Sequence, residues 1–266
     1  MIPKTIHYCW FGGSEIPEIL NMYMNSWKKL KNNGYKLVLH NEEDCSFNEN
    51  EFIRKAYKEK KWSFISDYYR LKFLYEEGGI YLDTDIYVIK PFDSLLNCKA
   101  FIGYMYDSQL ETAVIGAEKG SVYIKRLLDM YENSDFPSFD YLVNNKKENI
   151  YSECFKVPNN EAVTWKTIEC YPQITLDNKY QEMGDVTIFP ISAFDSGKVF
   201  GEGYCIHMYT NLWNRDISVK KKLREYIKIH IPVRKIMTIV RYANGKKINK
   251  KSNFYKYKQM RKNNIV

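Results

Sequence analysis

Hydrophobic and polar positions along this chain change period many times, and each change marks an expected element. Residues 2 to 10 alternate as a strand does, and Pro17 to Leu30 follows with helical spacing that leaves Met22, Trp27 and Leu30 to pack. Tyr35 to His40 reads as a second strand and Glu51 to Lys60 as a short helix. Within Ser66 to Glu77, Leu71, Leu74 and Tyr75 recur three or four residues apart, and Gly78 supplies a helix stop. The apolar run Gly78 to Ile89 reads as one strand, ended by Pro91. Further strands are expected at Ala100–Tyr104, Thr112–Ala117, Val186–Pro190 and Gly203–Tyr209, with a helix over Val122–Tyr131. Residues 132 to 180 are polar and read as irregular. Alternation of this kind predicts an α/β fold: a mainly parallel sheet covered by helices on both faces, with ligands bound at the carboxyl ends of the strands.

Two carboxylates, Asp83 and Asp85, interrupt the apolar run. A buried carboxylate is costly unless something compensates it. On a continuous strand the two side chains point to the same side, where they can share one hard cation through oxygen ligands. A divalent ion held that way commonly binds a substrate's phosphates, so the pair points to a metal-bound diphosphate. The bland alternative is that Asp83-Thr84-Asp85 is a hairpin turn. Upstream, Asp67 and Arg70 lie one helical turn apart, the spacing of an ordinary surface ion pair. His207 sits in an apolar run and is either a hydrogen-bonded core residue or the imidazole that completes a manganese-type site. Trp10, just past the first strand, offers a flat face for a base or a core packing surface, with Tyr8 beside it as a lining residue.

Length changes the picture little: 266 residues with 45% hydrophobic content can bury one sizeable core. The six cysteines show no C-x-x-C pair and read as reduced thiols of a cytosolic protein. Charge is more informative. From Asp216 to Val266 there are 16 Lys and Arg against 2 Asp and Glu, a net +14 in a chain of +8, which leaves residues 1 to 215 at −6. The expected division is therefore a domain over 1–215 and a basic, helical extension over 216–266. Isoleucines and Met237 between the cations suit an amphipathic helix lying on an anionic membrane, a solvated tail being the alternative. No recognisable nucleic-acid module accompanies the charge. No secretory leader and no apolar span are visible, so the expectation is a cytoplasmic protein, peripheral on the cytoplasmic membrane face.

The segment Ser66-Asp67-x-x-Arg70…Leu74-Tyr75-x-x-Gly78-Gly79-x-Tyr81-x-Asp83-x-Asp85 resembles the core of glycosyltransferase family 32. The opening Ile2-Pro3-Lys4-Thr5-Ile6-His7-Tyr8-Cys9-Trp10 is similar to that family's first strand and loop. His207 followed by Trp213 is similar to its closing motif, with Asn211-Leu212 where a Ser often precedes the Trp. The resemblance covers roughly residues 1 to 215 and implies a glycosyltransferase A-type fold, of the kind found in bacterial capsule and surface-polysaccharide enzymes. It implies that Asp85 coordinates Mn²⁺ or Mg²⁺, that Asp83 contacts the ribose or the metal's shell, and that Asp67 and Arg70 face the donor sugar. It further implies that Trp10 stacks on the nucleobase, that His207 is a ligand or phosphate contact, and that Trp213 and Asn211 lie on the phosphate side.

The expected reaction is transfer of a sugar, with retained configuration, from a nucleotide-diphosphate sugar, UDP-sugar favoured, to a glycan or lipid-linked oligosaccharide. The acceptor pocket is expected within residues 132 to 180. A metal-dependent nucleotidyltransferase also uses an Asp-x-Asp strand, but Gly12-Gly13-Ser14 lies too far upstream to serve as its turn. A basic nucleic-acid-binding protein leaves the buried acidic pair unexplained.

Overall fold

A seven-stranded sheet organises the computed structural model, which describes residues 1–144, 155, 157–195, 203–210 and 243–265. The first half of the chain runs β1 (Thr5–Cys9), α1 (Glu18–Met24), α2 (Lys28–Lys31), β2 (Lys36–His40), α3 (Glu51–Lys58), α4 (Trp62–Glu77), β3 (Gly79–Leu82) and β4 (Ile86–Val88). There follow β5 (Ala100–Tyr106), β6 (Gln109–Ala117), α5 (Val122–Glu132), α6 (Phe139–Asn144) and α7 (Asn159–Cys170). The described chain closes with β7 (Gln181–Glu182), β8 (Thr187–Phe189), α8 (Ile191–Phe194), β9 (Cys205–His207), helical residues 243–251 and α9 (Asn253–Lys262).

Strand order is β2-β1-β3-β6-β5-β8-β7. Strands β2, β1, β3, β5 and β8 run one way, and β6 and β7 run against them. The mainly parallel α/β fold expected from the alternation is the one observed. Successive residues of a strand face opposite sides, so Tyr81, Ile102 and Ile115 pack with α4, α5 and α7 on one face. Ile80, Leu82 and Phe101 pack with Trp27, Leu30, Phe92 and Phe194 on the other.

The run Gly78–Ile89 is not one strand: the chain leaves the main sheet after Leu82, turns through Asp83-Thr84-Asp85, and re-enters as β4, which pairs with β9 in a separate ladder. The Ile86 N–H donates to the Asp83 carbonyl at 3.0 Å, which closes the turn. The turn that was the bland alternative is present, and it sits between strands of two sheets, not within a hairpin. Residues 132 to 180 are also not irregular throughout, because α6 and the well-buried α7 lie there.

Gly78 and Gly79 make the hand-over from α4 into β3, with φ of +72° and +117°. A Cβ on Gly79 would stand 2.7 Å from the Thr5 carbonyl oxygen and 2.9 Å from His7 Nε2, so only glycine lets β1 and β3 approach. Part of the basic extension returns to the main core. Phe254 and Tyr257 of α9 are buried, their ring centroids 4.3 and 5.7 Å from that of Trp165 on α7. Arg261 donates to the Ile174 carbonyl at 2.6 Å, and the buried Ser108 hydroxyl donates to Asn249 Oδ1 at 2.5 Å. Residues 216 to 242, which hold the isoleucines and Met237 of the amphipathic pattern, lie outside the described residues.

Candidate active site

Strands β1 and β3 are parallel neighbours, so Trp10 and Asp83 both emerge from the same carboxyl edge of the sheet. The turn after β3 swings Asp85 toward β9, whose register pairs Ile86 with His207. Ligand atoms of Asp83, Asp85 and His207 thereby come within 4.8 Å of one another. Two carboxylates and an imidazole at that spacing fit a divalent ion of the Mn²⁺ or Mg²⁺ type, the nitrogen ligand favouring Mn²⁺.

Asp85 is gripped on several sides. Its Oδ2 accepts the Thr210 N–H at 2.9 Å and the Thr210 hydroxyl at 3.0 Å, and its Oδ1 lies 3.2 Å from His207 Nε2. Burial alone would push this carboxyl up, but His207 and the Thr210 bonds outweigh it and hold the pKa at about 2. Burial likewise works against a charged His207, while Asp85 and Glu111 on its two sides raise its pKa well above the ordinary value. A metal bound through Nε2 would displace that proton.

Beneath the turn lies Arg70, 3% exposed and buried against the Tyr81 ring, whose centroid is 4.5 Å from its Cζ. All three of its nitrogens meet acceptors in the protein. Nε faces the Ser66 carbonyl at 3.3 Å, and Nη1 faces the Thr112 carbonyl and hydroxyl at 2.9 and 3.4 Å. Nη2 pairs with Asp67 Oδ1 at 2.8 Å and Asp83 Oδ1 at 3.3 Å. The structure therefore places Arg70 as a brace between two acids. Asp67 also accepts Asn159 Nδ2 at 2.9 Å. Its pKa rises to about 6, because burial and nearby Asp83 together exceed the pull of Arg70.

The first residues of α7 complete the floor, which the sequence reading did not identify. Asn159 bridges Asp67 to the Thr112 hydroxyl, the latter at 3.0 Å. Asn160 Oδ1 accepts the Thr112 N–H at 3.0 Å, and its Nδ2 donates to Glu111 Oε1 at 3.2 Å. Glu111 and Thr112 reach the site because β6 is bulged: Ile102 pairs with Ile115, but the next β5 residue, Gly103, pairs with Glu111. Such bulges re-aim side chains beside active sites.

Trp10 is half-buried beside Ile206 and Met208, the residues flanking His207, and its Nε1 donates to the Ser14 carbonyl at 2.6 Å. Tyr8 packs edge-on to Trp27, centroids 5.3 Å apart. Trp213 and Asn211 lie outside the described residues.

Residues 17–102 match a family model described as "Glycosyltransferase sugar-binding region containing DXD motif". That span includes Asp67, Arg70, Asp83 and Asp85. Among curated proteins, Glucan organizing enzyme 1 of Cryptococcus neoformans var. grubii is 38% identical over 86 residues, 29% of this chain and 24% of that protein. The chain thus matches about a quarter of that relative's length. Among solved structures, the PaToxG glycosyltransferase is similar at a TM-score of 0.46 and 20% identity, over 64% of this chain and 70% of that one. A glycosyltransferase involved in the glycosylation of the major capsid of PBCV-1 is similar at 0.42 and 13% identity, over 84% of this chain and 100% of that one.

Proposed function

We propose that this chain, whose residues 17–102 match the sugar-binding region of DXD-motif glycosyltransferases, is a metal-dependent, configuration-retaining enzyme that moves a sugar from a nucleotide-diphosphate donor, UDP-sugar favoured, to a glycan or lipid-linked oligosaccharide in surface polysaccharide assembly. The convergence of Asp83, Asp85 and His207 at the carboxyl edge of a parallel sheet carries the reading.

Asp85 and His207 would hold Mn²⁺ or Mg²⁺ directly, with Asp83 in its shell or on the ribose. Once bound, the cation supplies positive charge for the diphosphate as the glycosidic bond breaks. Asp67, whose Oδ1 is taken by Arg70 and Asn159, offers Oδ2 to a sugar hydroxyl. Arg70 acts through Asp67 and Asp83, holding both carboxylates in place. Trp10 provides a stacking face for the base. The described site presents no protein carboxylate in the double-displacement role that the other contacts do not already explain. Same-face attack by the acceptor hydroxyl, with its proton passing to the departing phosphate, accounts for retention.

The outer side of the C-terminal helices supports a second, finer reading. Residues 243–265 carry seven Lys and one Arg with no acid, and Lys246, Lys247, Lys250 and Lys251 are exposed around Ile248. That face suits peripheral contact with an anionic cytoplasmic membrane surface, where a lipid-linked acceptor would lie. No helix among the described residues is long and apolar enough to cross a membrane.

The deciding experiment is hydrolysis of a panel of nucleotide sugars, in chelator and after Mn²⁺ or Mg²⁺ is restored. The expected result is release of nucleoside diphosphate from one donor, only with metal. Full turnover in excess chelator, or release of pyrophosphate with nucleotide transfer, would overturn the proposal.

A further inference from the structure

We infer that Glu111 is a positioning residue for His207, fixing which imidazole nitrogen faces the cation; this rests on the metal-site reading above. Glu111 is 3% exposed and no contact places it on the metal. Instead donors surround it. Its Oε2 accepts the Tyr209 hydroxyl at 2.6 Å and lies 3.3 Å from His207 Nδ1, while Oε1 accepts Asn160 Nδ2 at 3.2 Å. A neutral imidazole has one N–H and one lone pair. Nδ1 has the Glu111 carboxylate 3.3 Å away, at ion-pair distance, so a neutral ring keeps its hydrogen on Nδ1 and its lone pair on Nε2, the nitrogen 3.2 Å from Asp85. Metal-ligating histidines are oriented in this way by a carboxylate behind them.

The surroundings hold that arrangement rigid. Tyr209 stacks on the His207 ring at 3.8 Å between centroids, which limits its rotation. Asn160 cannot turn its amide round without losing the two hydrogen bonds that Thr112 makes to Oδ1. Hence a glutamine at 111 keeps its oxygen on Asn160 and turns its NH₂ toward Tyr209, whose hydroxyl can accept it and donate to Asp195 Oδ2 at 3.2 Å, and toward Nδ1, where an NH₂ favours the lone pair on Nδ1 and the hydrogen on Nε2. The β6 bulge that brings Glu111 opposite Gly103 is the backbone feature that aims it.

Calorimetric titration of Mn²⁺ and of Mg²⁺ into the full chain tests this with wild type, Glu111→Gln, His207→Ala, the double variant and Asp85→Asn. E111Q is expected to weaken Mn²⁺ binding by about ten- to a hundredfold without touching the ion. Mg²⁺, which prefers oxygen, should lose less. The double variant should bind Mn²⁺ no more weakly than H207A alone, since Glu111 acts through that ring. Wild-type Mn²⁺ affinity in E111Q, or a loss that adds in full to that of H207A, overturns the role. If only E111Q keeps its affinity, the metal site stands without it; if D85N also binds like wild type, the metal reading itself falls. Should E111Q not fold, Tyr209→Phe removes one donor from Glu111 yet leaves the ring stacked. It should weaken Mn²⁺ by about three- to fivefold, the loss of a single hydrogen bond, and unchanged affinity overturns the role.

Discussion

The three guanidinium nitrogens of Arg70 face five acceptors, and two of those acceptors are the carboxylates of Asp67 and Asp83. Removing the guanidinium strands both acids in a buried setting, so Arg70→Ala should lower stability by roughly 3 to 5 kcal/mol in denaturant unfolding. Arg70→Lys should recover little, since an ammonium cannot reach along the same planar fork. A variant that keeps wild-type stability while losing only donor hydrolysis would return Arg70 to the sugar. Asp67 makes a pH-dependent prediction. Its folded pKa of about 6 exceeds the ordinary carboxylate value, so the native state binds the extra proton and stability from this group falls as pH rises from about 4 to 6. In metal-free protein the stability advantage of wild type over Asp67→Asn should therefore shrink across that window and level off above it; a constant difference would contradict the assignment. Asp83 and Asp85 were legible because an acid in an apolar run stands out. Glu111 carries the same signal in Gln109–Ala117, but a strand begun at Thr112 starts three residues late and leaves it out. Asn159 and Asn160 had no contrast to show, being polar residues in a polar stretch.

Element boundaries followed the same logic. The helix that ends at Gly78 and the strands of the sheet were readable, because each has one clear period and a stop. The break at Asp83 was not, since Ile86-Tyr87-Val88 continues the strand pattern while pairing with β9 in another sheet. Alternation shows that a segment is a strand and is silent about its partner. Helix α7 escaped for a different reason: Ala162, Val163, Thr164, Trp165, Thr167 and Ile168 are all buried, so burial surrounds the helix and leaves little amphipathic contrast. Its packing against α9 supplies an element-scale prediction. Phe254→Ala empties a buried site against Trp165 and should cost about 3 to 5 kcal/mol of unfolding free energy. A change below about 1 kcal/mol would mean that α9 is not part of the core.

For the molecule as a whole, the chain's charge asymmetry becomes a surface: α9 turns Phe254 and Tyr257 inward, while Lys246, Lys247, Lys250, Lys251, Lys256 and Lys262 are exposed. Truncating the extension would remove Phe254 and Tyr257 from the core, so charge reversal is the cleaner perturbation. Replacing Lys246, Lys247, Lys250 and Lys251 by Glu should sharply reduce sedimentation with anionic vesicles at low salt, each cation near the surface contributing about 1 kcal/mol, while donor hydrolysis in solution persists. Equal sedimentation of both proteins would remove this face from consideration. The fold class and the acidic centre were thus legible, whereas the reach of β6 and α7 into that centre depends on bulges and long-range packing that a linear pattern does not encode. The proposed mechanism turns on a metal that would link Asp85 to a diphosphate. Its most direct test is calorimetric titration of UDP into wild type and Asp85→Asn, with Mn²⁺ and in chelator. Binding is predicted only for wild type with Mn²⁺, and UDP binding of equal strength in chelator or in the variant would contradict it.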